Sequence, residues 1–396
     1  MNTRVYLSQP ALVNALGQGA DAMARALFAG HTGGMVAEAG HLPHAPERWL
    51  HVGRVQAPLP TMPPTWIEHN SRNNRLLLLT AQLLADRLKH AVNTHGPDRI
   101  GVVLGTSTSG IGEAQAALAA QAATGALPVR YHYTQQELGS PALFLAHWLG
   151  LGGPTYTVST ACTSSAKAFG SARRLLRAGL CDAVVVGGVD ALCPLTLNGF
   201  TALASTAPDL MNPMSLHRQG INLGEGAALF LMGREPDDFE LLGVGESSDA
   251  HHISSPDPSG AGAEQAMRAA LRDAGVLPDA IGYLNLHATA TPKNDAMESL
   301  AVARVFGTAL PCSGTKPLTG HLLGAAGATE LAFCALALTH HRLPPHRWDG
   351  MPDPELPLLN LVADGHSFTG PQPRTCMSNS FAFGGSNASL VIGDPR

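Results

Sequence analysis

The chain has 396 residues, of which 45% are hydrophobic and only 14% charged, with 43 glycines and a formal net charge of −5. That length holds two or three ordinary domains or one large core built from two similar halves, and so low a charge fraction suits extensive burial and subunit contacts. The negative balance excludes the basic face of a nucleic-acid binder, and no apolar run reaches the roughly 18 residues of a membrane-spanning helix.

In chain order, strand-like apolar runs alternate with helical patterns. The start, Met1-Asn2-Thr3-Arg4, opens no apolar leader. Arg75 to His90 has helical spacing, and Arg99 to Gly105 reads as a strand ending in the loop Gly105-Thr106-Ser107-Thr108-Ser109-Gly110. Thr155 to Val158 is short, β-branched and aromatic, which predicts a strand. It runs into Ser159-Thr160-Ala161-Cys162-Thr163, after which Ser164 to Ala178 is helical, with Ala166, Phe169, Ala172, Leu175 and Leu176 on one side and Gly179 as the stop. Asp182 to Gly188 is an unalternating, buried strand, Ala261 to Ala274 a helix, Ile281 to His287 a strand, Gly327 to Thr339 a helix and Ala388 to Ile392 a strand. Pro/Gly-rich pieces at 55 to 64 and 343 to 357 are surface loops. This order predicts an α/β protein with buried, parallel-rich sheets. A strand leads to Cys162 in the first half; in the second, a strand leads to His287 and a polar-to-glycine corner follows at Thr319-Gly320-His321. The seam between two weakly similar halves falls near 237, giving 1–237 and 238–396.

The six cysteines (162, 181, 193, 312, 334, 376) form no CxxC pair, which suits a reducing, cytoplasmic compartment. Eighteen histidines include no HExxH or similar cluster, so no metal site is expected. Cys162 stands at the positive end of a helix dipole, where thiolate is favoured over thiol; the alternative is an inert core cysteine. His287 ends a strand and is followed by Thr289 and Thr291, spaced to point the same way, although a lone strand-end histidine is more often a structural residue. Lys316 precedes His321 by five residues, a small-residue helix start lets a neighbour approach closely, and Glu330 lies nine residues beyond His321. In isolation that segment reads equally as a packing helix with a solvated lysine. In Asn379 to Asn387, Gly384 and Gly385 make a tight turn whose N–H groups suit an oxyanion hole, or close a hairpin. A cysteine, two histidines and a Gly-rich donor loop in one chain are the logic of acyl transfer.

Together the four segments resemble the β-ketoacyl-acyl carrier protein synthases, the elongating condensing enzymes of type I/II. Their TACTS, HGTGT/HGTST, KxxxGHxxGAAG and NSFGFGG runs have counterparts here in the family's order, and the resemblance spans nearly the whole chain. It implies a thiolase-like α/β fold: two similar βαβαβ-rich halves stacked as five layers, α/β/α/β/α, the first carrying the nucleophile and the second both histidines and the gate loop. It implies that Cys162 takes an acyl chain from a carrier-protein thioester, with the N–H groups of Cys162 and Phe383 holding the oxyanion. Malonyl-carrier protein then loses CO2 while His287 and His321 hydrogen-bond the developing enolate, and the carbanion attacks the acyl-cysteine to give a β-ketoacyl product two carbons longer. Lys316 orients and tunes His321, Glu330 neutralises the buried charge, Thr289 and Thr291 bind the phosphopantetheine arm, and Phe383 is also the gate. No cofactor is bound permanently. The partners implied are acyl carrier protein and a second copy or a related ketosynthase-like subunit, in fatty acid or specialised polyketide/polyene synthesis.

The chain departs from the family at Ala288, Ala290 and Ala382, which replace glycines, so a different local backbone is expected at the first two. Pro213 to Gly220 lacks both aspartates of the PFDxxRDG run, and Thr108 replaces a bulky residue of the acyl pocket. The rival reading is a non-catalytic, chain-length-determining partner subunit, which typically lacks the nucleophile. A thiolase reading would use Cys376, but Asn379-Ser380-Phe381 fits the synthase run; Ser164-Ser165-Ala166-Lys167 matches SxxK without its companion motifs.

Overall fold

The computed structural model describes residues 4–369 and 374–395. Met1–Thr3, part of the segment read above as having no leader, lie outside the described residues.

Five strands of the first half frame its sheet: β1 (Ala11–Asn14), β2 (Ile100–Gly105), β3 (Thr155–Val158), β4 (Ala183–Asp190) and β5 (Gly226–Gly233). The second contributes β6 (Phe239–Ser248), β7 (Tyr283–Asn285), β8 (Pro311–Ser313), β9 (Thr375–Phe381) and β10 (Ser386–Gly393). In space the first set runs β3-β2-β4-β5-β1 and the second β8-β7-β9-β10-β6, which is the same order once each half is counted from its own start. In each half three strands are parallel and the last two pairings are antiparallel. The short strand Tyr6–Leu7 pairs with both β5 and β6 and joins the halves into one hydrogen-bonded path. The topology refines the repeat read from the sequence: the strand into Cys162 corresponds to β8, which leads to Lys316 and His321, whereas His287 corresponds to the loop after β2.

Six helices complete the frame: α1 (Arg72–Gln82), α2 (Ala85–His95), α3 (Ser164–Arg177), α4 (Ala261–Ala274), α5 (Pro292–Phe306) and α6 (Ala326–His340). α3 and α6 pack on each other and on strands of both halves, so they form the middle layer; α1 covers the first sheet and α4 the second, with α5 packed on α4. This is the thiolase-like, five-layer arrangement. The middle position explains composition: every residue from Ala326 to Leu338 is buried. Leu323–His340 is long and apolar enough to cross a membrane by composition, contrary to the expectation that no such run exists, but 89% of it is buried inside the protein as a core helix. The middle helices meet at Gly327, where a Cβ would lie 2.8 Å from that of Ala166; only glycine permits this approach. Phe169 of α3 meets Phe230 of β5 edge-on, with centroids 5.4 Å apart, a geometry worth about 1 kcal/mol beyond its buried area.

The single helix expected from Arg75 to His90 is two. Leu83 and Leu84 bond back to Thr80 and Ala81, tightening the turn, and α2 starts afresh at Ala85. The strand expected over Ile281–His287 keeps regular pairing only from Tyr283 to Asn285, because His287 and Ala288 give their N–H groups to a carboxylate instead.

Candidate active site

The carboxyl ends of the parallel strands from both halves converge, and there a cavity of about 460 Å³ opens to the surface. Cys162, His287 and His321 line its floor; Thr289, Thr291, Phe381, Phe383 and Phe200 line its walls. Cys162 follows β3 through a strained corner. Ala161 has φ 53°, a conformation that costs a non-glycine residue about 1–2 kcal/mol. The corner is held because the Ala161 carbonyl accepts from Ser107 Oγ at 3.1 Å and from Ser164 Oγ.

Nε2 of His321 lies 3.0 Å from Cys162 Sγ. The His287 ring stands edge-on to that of His321, with centroids 5.3 Å apart at 84°. The backbone N–H of Phe383 points at the sulfur. The other amides of its turn are engaged, Gly384 with Ile253 O at 2.8 Å and Gly385 with Ala382 O at 3.2 Å. Burial pushes the Cys162 thiol up to about 12, against the pull of Lys316 and the Phe383 N–H. Burial here opposes the thiolate expected from the helix terminus, whose pull is worth roughly 1 kcal/mol. Burial, followed by the charge of Lys316, holds both imidazoles well below their usual range, so they are neutral.

Lys316 is 1% exposed. It does not contact His321 as expected. Its Nζ donates to His287 Nδ1 at 3.2 Å, to the His287 carbonyl and to Glu330 Oε1. An ammonium donating to Nδ1 leaves the ring proton on Nε2, the nitrogen that can face a substrate. Burial raises the Glu330 carboxyl to about 7, with Lys316 opposing. Nδ1 of His321 is buried without a hydrogen-bond partner among the described residues.

Two carboxylates that the sequence reading did not assign shape the His287 segment. Glu298 accepts the N–H groups of His287 and Ala288 at 2.7 Å each, and Asp295 those of Ala290 at 3.0 Å and Met214 at 2.7 Å. Ala288 and Ala290 have left-handed φ values of 39° and 58°. These hydrogen bonds hold that conformation against the alanine penalty. Ala382 sits at φ −106°, where no glycine is needed. The signal in the sequence was Asp295 and Glu298 three residues apart, hence on one face of α5. Where the family's aspartates are missing, Asp349 bonds Ser215 Oγ at 2.8 Å and His217 Nδ1 at 2.7 Å, and Asp353 pairs with Arg218.

Thr289 and Thr291 line the cavity with hydroxyls 3.0 Å apart. Thr108 is not among the lining residues; its hydroxyl donates to the buried Asp190 at 2.7 Å, which also receives Thr106 Oγ1 and the Ser107 and Thr108 amides. Tertiary folding also gathers a trio that local spacing could not reveal: Cys162 Sγ and one nitrogen from each histidine lie within 4.8 Å of one another, a set able to hold a metal ion. The ammonium beside His287 opposes a second cation there.

A buried cysteine paired with an imidazole, a second imidazole with a fixed tautomer and a backbone donor at the sulfur define a carbon–sulfur acyl-transfer site. Family models agree: "Beta-ketoacyl synthase, N-terminal domain" matches residues 38–238 and "Beta-ketoacyl synthase, C-terminal domain" residues 239–347. The chain belongs to the beta-ketoacyl synthase family and spans less than two thirds of the length of most of the curated relatives it matches. It is similar to a mitochondrial 3-oxoacyl-[acyl-carrier-protein] synthase of Arabidopsis thaliana, 38% identical over 61% of this chain and 57% of that protein's length. It is 34% identical to nodulation protein E of Rhizobium meliloti over 74% of this chain and 75% of that one. Among solved structures, a chain in the complex of the ketosynthase ApeO with its chain length factor ApeC from Xenorhabdus doucetiae is 45% identical with a TM-score of 0.95, covering 99% of this chain and 98% of that one. A beta-ketoacyl synthase from Burkholderia phymatum gives 27% and 0.88, with both chains fully covered.

Proposed function

We propose that this protein performs the decarboxylative condensation of an acyl-enzyme with malonyl-acyl carrier protein. The observation that carries the reading is the 3.0 Å contact between Cys162 Sγ and His321 Nε2 at the floor of an open cavity, with His287 beside it. The Cys162 sulfur attacks the carrier thioester as its proton passes to His321. A carbon–sulfur bond forms, the N–H groups of Cys162 and Phe383 stabilise the oxyanion, and the carrier thiol leaves with the proton. Malonyl thioester then occupies the cavity. Its carbon–carboxylate bond breaks, CO2 departs, and the electron pair moves into an enolate held by Nε2–H of His287 and by His321 once its ring proton has shifted from Nδ1 to Nε2; a pair of preorganised donors is worth several kcal/mol. The enolate carbon attacks the acyl carbonyl, and the cysteine sulfur leaves as a thiolate that takes up one proton from solvent, which restores the thiol.

In this reading Lys316 is a positioning residue that fixes the His287 tautomer, Glu330 balances its charge, Thr289 and Thr291 receive the pantetheine amides, and Phe383, packed 5.5 Å from Phe200, is the gate. The halves 1–237 and 238–396 bring the nucleophile and the histidines respectively. The half-buried edge strand β3 supports a dimer formed across it, with a second copy or with a related subunit such as the chain length factor named beside ApeO. Six free, buried cysteines support a reducing, cytoplasmic setting. A non-catalytic subunit is disfavoured because it has no use for the intact constellation.

The test is intact-mass analysis after incubation with acyl-carrier protein, then addition of malonyl-carrier protein. The expected result is an acyl adduct on Cys162, absent in Cys162→Ala, that is discharged as a β-ketoacyl product. An unmodified protein with undiminished product output in Cys162→Ala would sink the reading.

A further inference from the structure

Cys162 lies between two turns that come from opposite halves of the chain. One is its own corner, Thr160 to Ser164, which leads into α3; the other, Ala382 to Ser386, joins β9 to β10. The second turn is tight: the Ala382 N–H donates to the Ser386 carbonyl at 2.7 Å, and Gly384 and Gly385 are left-handed at φ 79° and 74°. Its outer side is tied to the loop after β6, where the Gly384 N–H donates to the Ile253 carbonyl at 2.8 Å and the Gly385 carbonyl accepts the Asp249 N–H at 2.7 Å. Its inner side carries Phe383, whose N–H points at the Cys162 sulfur and whose ring packs on Phe200.

A hydroxyl pair ties that inner side to the nucleophile corner. Ser386 Oγ lies 2.8 Å from Thr163 Oγ1, 223 positions away in sequence. Thr163 is buried, and its single proton is directed at Thr160, whose carbonyl and hydroxyl oxygens lie at 2.7 and 2.9 Å. Ser386 therefore donates and Thr163 accepts. Thr163 follows the nucleophile directly, and Ser386 closes the turn that carries Phe383. Neither lines the cavity, so the pair acts through the turn and not on a substrate.

We propose that Thr163 and Ser386 are positioning residues whose hydrogen bond latches the gate turn onto the nucleophile corner and keeps the Phe383 N–H on the sulfur until Cys162 is acylated. The proposal rests on the condensing function above and deepens it by naming what holds the gate before the first half-reaction. The bond is neutral and joins a buried to a half-buried hydroxyl, worth about five- to tenfold in the ratio of closed to open turn. A bond of that size favours the closed gate and still breaks in every turnover.

Thr163→Val keeps the side-chain shape and removes the acceptor; Ser386→Ala removes the donor. Three measurements on the intact protein read the latch: single-turnover acylation of Cys162 from an acyl-carrier protein, CO2 release from malonyl-carrier protein by unacylated enzyme, and hydrogen exchange over the turn. Both variants are expected to acylate about five- to tenfold more slowly, to release CO2 without prior acylation faster by a similar factor, and to exchange faster at the turn. The double variant should be no worse than either single one, and Thr163→Ser should recover both rates. A merely structural role would lower the two rates together. Rates that fall together, or that stay unaltered in a wild-type background that condenses, overturn the latch alone. A wild type that takes no acyl chain overturns the condensing reading and the latch with it, so the two failures are distinguishable.

Discussion

Replacing Lys316 by methionine should separate what the buried ion pair does for folding from what it does for chemistry. Lys316 and Glu330 are 1% and 3% exposed, and the lysine donates to His287 as well as to the carboxylate. Removing the ammonium leaves a buried carboxylate without its countercharge, which costs about 3–5 kcal/mol. Protonation limits that cost. The Glu330 carboxyl is already at about 7 with Lys316 opposing the rise, and without Lys316 it moves higher. A carboxyl raised in the folded state contributes stability that is present below its unfolded value near 4.5 and lost as pH rises through the folded value. In Lys316→Met that loss should therefore continue to higher pH than in the wild type, by up to about 1.4 kcal/mol per pH unit. Urea unfolding at pH 6, 7 and 8 measures it. For the chemistry, His287 loses the donor at Nδ1 and its proton is free to move there, removing one enolate donor. CO2 release from malonyl-carrier protein should fall about 10²–10³-fold, while acylation of Cys162, which uses His321, stays within a few-fold. The double variant Lys316→Met/Glu330→Leu replaces the pair with apolar groups and should recover wild-type stability to within about 1 kcal/mol or exceed it, yet remain defective in CO2 release. Full decarboxylation by either variant would refute the tautomer argument.

Three further outcomes follow from the same coordinates. With its thiol raised to about 12, Cys162 should react with iodoacetamide at a rate that climbs with pH beyond 9; a plateau near pH 7 would show a resting thiolate. Gly314→Ala would set a Cβ 2.5 Å from that of Ala288, an overpacking cost of about 1–3 kcal/mol that the added change Ala288→Gly should relieve, as read by thermal unfolding. His346 accepts from the Gly314 N–H at Nδ1 and donates from Nε2 to Pro213 O, and burial lowers it to about 4. A base depressed in the folded state stabilises above its unfolded value near 6.5 and loses that contribution as pH falls toward 4. Denaturant midpoints should therefore drop over pH 6.5 to 4, less steeply in His346→Gln.

The sequence by itself determined most of the elements, the family and the candidate reacting groups. Cys162 after a β-branched strand, His287 at a strand end and the Lys316–His321 spacing are local patterns, and local geometry follows from propensity and turn chemistry. Tertiary structure decided what depends on desolvation and on contacts between distant segments. Burial, which no sequence window reports, made Cys162 a thiol where its helix position alone favoured thiolate. The partner of Lys316 was settled by the packing of α6 against β7 and its loop, which brought Glu330 and His287 to one nitrogen while His321 faced the sulfur. Glu298 and Asp295 could hold Ala288 and Ala290 in left-handed conformations only because α5 folds back over its own leading loop. Thr108 turned from the cavity toward Asp190 because a buried carboxylate must be satisfied, and the donors nearest to it were on that loop.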